Sequence, residues 1–114
     1  MALTITSVAP PGGVKSPQRI GNDMEVRRQW TLAGTYVNPT GHALTLSQDL
    51  PGMTACTSME EAVFVNGQNS VVSRRATDGT IHFYQGGGAG VPFTEVANAA
   101  SLAGFVGVVI ARGF

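Results

Sequence analysis

The residues of this chain that can do chemistry are few: His42, His82, a lone Cys56 and an adjacent Glu60-Glu61 pair. His82 stands in "ATDGTIHFYQGGGAG", residues 76–90, beside an Asp-Gly turn signal, two aromatic residues and a glycine run. With Arg75 and Tyr84 it has the makings of a general base in a polar cluster, since imidazole titrates near neutral pH. A solvated cross-strand pair is the commoner fate of such a histidine. The glycine run is no phosphate cradle: a P-loop places Lys and Ser or Thr after its last glycine, and the dinucleotide fingerprint needs a third glycine three positions beyond the second. It reads as a linker. Glu60 and Glu61, being adjacent, fall on opposite faces of a strand and make no catalytic carboxylate pair. Two histidines far apart in sequence with a single cysteine match no zinc spacing, and no Gly-x-Ser-x-Gly elbow is present. The expectation is therefore a non-enzymatic protein with no catalytic, cofactor-binding or metal-binding residues.

Composition narrows the partners. Residues 1–114 are one domain's worth of chain, with 43% apolar residues and only 12% charged, against roughly 25% charged in average soluble domains. Much of the surface must then be uncharged Ser, Thr, Asn, Gln and Gly, which suits contact with other protein. Seven basic residues balance seven acidic ones, so no long-range field steers the chain to nucleic acid or an anionic membrane. Arg27-Arg28 and Arg74-Arg75 each divide between two strand faces, which breaks any basic stripe. Cys56 reads as small buried filler. The opening "MALTITSVAPPGG" lacks a secretory signal's basic and apolar regions, and no apolar run reaches the roughly 18 residues of a membrane span, so cytosolic synthesis is expected.

The elements that must position these residues are strands. "ALTITSV" is a short β-rich run, and residues 10–22, rich in Pro and Gly without periodicity, read as an irregular N-terminal arm. Residues 24–37 alternate clearly: Met24, Val26, Trp30, Leu32 and Tyr36 share the core parity, with Arg28 among them, while Glu25, Arg27, Gln29, Thr31 and Thr35 face water. "ALTLSQDLPG" is a further short alternating piece. Asn66-Gly67 and Asp78-Gly79 predict a three-strand meander. A two-residue turn at Asp78-Gly79 would pair Arg75 with His82 and Arg74 with Phe83, turning Val72, Ala76, Ile81 and Phe83 inward and Ser73, Arg75, Thr77, Thr80, His82 and Tyr84 outward. In "FTEVANAASLAG", Thr94 or Asn98 can cap a turn of helix, and residues 105–114, apolar on both parities, predict a central strand covered on both sides. Six or seven such strands make an all-β fold, an antiparallel β-sandwich of jelly-roll type with an irregular arm.

The layout of "MALTIT", "NPTGHALTLSQDL", "RRATDGTIHFYQ" and "EVANAASLAGFVGVVIARGF" resembles the small head decoration, or cement, proteins of tailed bacteriophages. The resemblance covers most of the chain after Met24 and departs from the family at Pro10 to Asp23. It implies a β-sandwich bound to the major capsid protein on the outside of the head shell, commonly as a homotrimer at local three-fold positions. It brings no catalytic residues and no cofactor. On this reading the chain is made in the host bacterial cytoplasm and ends on the virion exterior, and Lys15, Arg19, Asn38, Thr40, His42, Arg75, His82 and Tyr84 are the candidate partner contacts. Two other readings stay open: a phage tail or connector subunit, which symmetry would distinguish, and a carbohydrate-binding adhesion module. The last needs an exposed aromatic platform, whereas Trp30 and Tyr36 fall on the core parity.

Overall fold

Nine antiparallel strands account for nearly all the regular structure of the computed structural model, which describes residues 2–13, 15–67, 69–86 and 93–114. They are β1 (Thr4–Val8), β2 (Gln18–Ile20), β3 (Asp23–Ala33), β4 (Cys56–Met59), β5 (Ala62–Asn66), β6 (Asn69–Arg75), β7 (Ile81–Gln85), β8 (Thr94–Glu95) and β9 (Val106–Gly113). Pairing runs β1-β3-β9-β5-β6-β7-β8, with β2 also on β3 and β4 also on β9. The chain is all-β. Among the described residues the one α-helical element is the single turn α1 (Leu46–Asp49), placed where the sequence suggests a short extended piece. No helix among the described residues is long and apolar enough to cross a membrane.

The alternation of β3 does what its sequence predicts: Val26, Trp30 and Leu32 are buried, and Tyr36 beyond the strand end is buried with them. Trp30 lies opposite Gly107 of β9. A Cβ at Gly107 would sit 2.8 Å from the Phe64 ring, so the missing side chain lets the Trp30 and Phe64 rings meet across β9 with centroids 6.4 Å apart. Phe64 stacks edge-on to Phe83 at 5.5 Å, and Phe83 to Tyr36 at 5.9 Å. This aromatic chain is the spine of the core. The buried indole N–H donates to the Asp49 carbonyl at 2.9 Å, which is what α1 is positioned to supply. Arg28, half-buried on the core parity, donates from Nε to Ser7 Oγ at 2.9 Å and from Nη2 to the Ser7 carbonyl at 3.0 Å.

Several expectations are corrected. Within residues 10–22, Gln18–Ile20 are not irregular but form β2, paired with β3 around a turn at Gly21. The β6–β7 connection is one residue longer than a two-residue turn. Gly79, at φ 88°, donates its N–H to the Ala76 carbonyl, and Ala76 N–H reaches the Thr80 carbonyl, so Arg75 pairs with Ile81 and Arg74 with His82. A one-residue slip turns a strand over. Ser73 is therefore buried and Arg75 half-buried, whereas Val72 joins the outer face; Ile81 and Phe83 point inward as expected. Residues 93–105 contain no helix: Thr94 pairs with Gln85, and the Asn98 side chain accepts a hydrogen bond from Asn38 N–H. Finally, β9 is central but covered on one face only, with Gly107, Val109, Ala111 and Gly113 buried and Val108 exposed. The glycine-rich connector expected at 86–90 falls, from 87 onward, outside the described residues.

Candidate functional site

The uncovered side of the sheet is the most distinctive surface of the molecule. Its residues follow from register. Thr31, Val106, Val65 and Ser70 form one cross-strand row, and Gln29, Val108, Val63, Val72 and Tyr84 form the next. As far as β7 these two rows hold no charged residue, Glu95 following Tyr84 on β8 with its carboxylate held by Tyr36 and His82, and Val63 (60% exposed), Val65 (51%) and Val108 (39%) stand open to solvent. Scattered surface valines need no explanation; here they adjoin one another in a contiguous band.

The same face changes character one row further on. Arg27 lies opposite Ile110, and Glu25 opposite Arg112. Glu25 is buried although its parity predicted a wet position, because Arg27 Nε closes on it at 2.7 Å and Arg112 Nη2 at 3.5 Å. The hydrogen bond from Arg27 holds the Glu25 carboxyl below its ordinary range; burial pushes the other way and is outweighed, with the Arg112 charge adding to the lowering. Arg112 also approaches Glu60 at 3.9 Å, and Arg74 pairs with Glu61 at 2.6 Å while lying 5.3 Å over the Tyr84 ring. The charges of this face thus satisfy one another at one end, leaving the valine rows bare.

A second constellation gathers at the β7–β8 corner. His82 meets Thr80 Oγ1 through Nε2 at 2.8 Å and Glu95 Oε2 through Nδ1 at 2.8 Å, a hydroxyl–imidazole–carboxylate alignment. Its hydroxyl is already committed, since Thr80 donates to Asp78 Oδ1 at 2.6 Å, and a Cβ on Gly41 would lie 2.8 Å from His82 Nε2. Tyr36 donates its hydroxyl to Glu95 at 2.5 Å and in turn accepts the Phe83 N–H. Burial, then the bond to Glu95, raises the Tyr36 phenol far above its ordinary value; burial also pushes Glu95 up, but the bonds from Tyr36 and His82 leave its carboxyl lowered overall. His42 pairs with the buried Asp49 at 3.0 Å, and its backbone bridges Ile81. These groups staple the 34–49 segment and β8 onto β7.

Of the residues singled out from sequence, the fold brings Asn38, His42 and His82 to this corner, with Asn38 Nδ2 donating to the Val96 carbonyl. Thr40 is exposed on the adjoining turn, and Lys15 and, on β2, Arg19 are exposed. Tyr84 lies on the valine face beneath Arg74, and Arg75 points inward, donating to the Cys56 carbonyl at 3.2 Å with its Nε buried and unpartnered. Among the described residues no three His, Cys, Asp or Glu side chains gather in a manner that would hold a metal ion. The sequence does not show the valine rows, because "FVGVVI" reads as a run buried on both sides and "VFV" only as the apolar arm of a hairpin. The signal was present in the alternation of Ala62 and Phe64 against Val63 and Val65. Compared with protein-family models, with curated proteins and with solved structures, the chain finds no match.

Proposed function

We propose that this chain is a non-enzymatic structural subunit that decorates the outside of a bacteriophage head shell, seated on the major capsid protein by the valine rows of its outer sheet face. The observation that carries the reading is that band of exposed Val63, Val65 and Val108 with every neighbouring charge already paired. Such a face has no countercharge to offer nucleic acid or an anionic lipid; it suits an apolar protein surface. One row across four strands and one across five, at about 4.8 Å per strand and 6.8 Å per same-face residue, cover only about 300 Å². That is well below the roughly 800 Å² per partner of a standard interface, so one contact is weak and a repeating lattice, which multiplies it, is the fitting partner. Exposed Lys15, Arg19 and Thr40, with the Asn38–His42 corner, would add polar contacts at the rim. Binding only to the assembled shell would stabilise it by mass action, about 2.7 kcal/mol per site at a hundredfold excess over Kd.

The jelly-roll sandwich belongs to the same proposal. It is supported by the way the segment after β3 returns over β7, through the Tyr36–Phe83 ring pair and the bridge from His42 to Ile81.

The test is add-back. Shells assembled without this protein are mixed with the wild-type chain and with Val63→Asp, whose exposed site tolerates the change. Saturable binding of the wild type and at least about tenfold weaker binding of the variant are expected, a desolvated unpaired carboxylate costing more than 1 kcal/mol. Equal binding of the two would remove the valine face from the account. No binding of the wild type would favour a tail or connector subunit, which would instead assemble as rings.

A further inference from the structure

We propose that the groove between the tip of the β5–β6 hairpin, the end of β7 and the 96–105 segment is a binding site for neutral saccharides. It is a concavity of about 670 Å³ whose polar lining is Asn66, Asn69, Ser70, Gln85 and Ser101. That volume lies within the span of small-molecule sites and holds a mono- or disaccharide. Among the described residues no charged side chain and no exposed aromatic ring lines it, so recognition rests on hydroxyl–amide hydrogen bonds and not on the stacking platform of an adhesion module; its apolar surface comes from buried ends of the core such as Leu102 and Phe105.

The lining selects its ligand by elimination. An anion would find no lysine or arginine, and a cation no carboxylate. An apolar ligand would strip water from the amides and hydroxyls without replacing its hydrogen bonds. A sugar hydroxyl both donates and accepts, and so does a planar carboxamide or a serine hydroxyl. Asn66 is held in place by donating Nδ2–H to the Ala103 carbonyl at 3.1 Å, and Ser101 Oγ accepts the Ala103 N–H at 3.3 Å. Asn69, Ser70 and Gln85 are exposed and spend no side-chain hydrogen bond within the described residues. An extended peptide is the other amide-seeking ligand, but β6 and β7 are each paired on both sides, so the groove offers it no free strand edge to extend.

The groove shares Ser70 with the end of one valine row but includes none of Val63, Val65 and Val108, so the two proposals fail separately. The experiment is a backbone-amide NMR titration of the whole protein with glucose, galactose, mannose, N-acetylglucosamine and N-acetylgalactosamine, with their disaccharides, and with N-acetylneuraminic acid as the charged counterpart. At least one neutral sugar should give saturable shifts at 66–71, 85–86 and 100–103. The Asn69→Ala/Gln85→Ala double variant should weaken that binding by about tenfold or more, and Val63→Asp should leave it unchanged. Absence of saturable shifts with every neutral sugar would overturn the proposal. So would shifts mapping elsewhere, or a preference for N-acetylneuraminic acid.

Discussion

Trp30 shows at the level of one residue how burial and hydrogen bonding act together. Its ring is fully buried against Phe64, and its N–H reaches the Asp49 carbonyl, so Trp30→Ala removes a large core side chain and leaves that carbonyl with only Ser7 Oγ. The expected loss is about 3–5 kcal/mol, a large part of the stability of a domain this size, read as a drop in the urea midpoint. Val63, on the opposite face of the sheet, should behave in reverse: Val63→Asp keeps the unfolding free energy within about 1 kcal/mol of wild type and loses binding instead. Glu25 predicts a pH dependence. In the unfolded chain its carboxyl titrates near 4.5, whereas the bond from Arg27 lowers it in the fold, so the unfolded state binds more protons as the solution is acidified. Its contribution is complete above about pH 5 and is lost as pH falls through the folded value, and Glu95, also lowered, acts in the same sense. Glu25→Gln should cost about 1–3 kcal/mol at pH 7 and flatten the fall in stability between neutral and acid pH, measured by denaturant unfolding at each pH.

At the scale of the element, the β6–β7 hairpin decides which side chains reach the core. Asp78 accepts from both Thr80 N–H and Thr80 Oγ1, and Gly79 takes the left-handed conformation that closes the longer turn. A Cβ at Gly79 would meet only Arg75 Nη2, at 3.7 Å, so Gly79→Ala tests backbone strain alone and should cost about 1–2 kcal/mol in unfolding free energy. The sequence makes the existence of this hairpin plain, since Asp-Gly lies between two apolar runs. Its register is not legible, because a two-residue and a three-residue turn accept the same residues and differ only in where the glycine sits. That single ambiguity misplaced Val72, Ser73 and Arg75. The same limit applies to β9: Val106, Val108 and Ile110 are as apolar as the buried Val109 and Ala111, and composition alone does not tell a covered face from an open one. The alternation of β3 was legible because its outer side is polar, and α1 was not, because a single helical turn held by Trp30 and Ser7 has no periodicity to read.

Over the whole molecule, the outer sheet face divides into an apolar half and a half of mutually paired charges, and this division carries the functional account. Residues that look chemical in the sequence, His42 and His82, are spent on holding one corner together, and the proposed contact surface is made mostly of valines. Salt should separate the two halves. Attachment through the valine rows should persist, or strengthen, when ionic strength is raised well above physiological, whereas attachment through Lys15 and Arg19 would weaken as the Debye length falls below about 8 Å. Co-sedimentation of the chain with shells across a salt series reads this directly. The most direct measurement of the central claim is electron cryomicroscopy of the native assembly containing this chain. The account predicts copies on the outside of the shell with Val63, Val65 and Val108 turned onto the capsid protein. A density placing the chain in a tail or connector ring, or on the shell with those valines facing solvent, would contradict it.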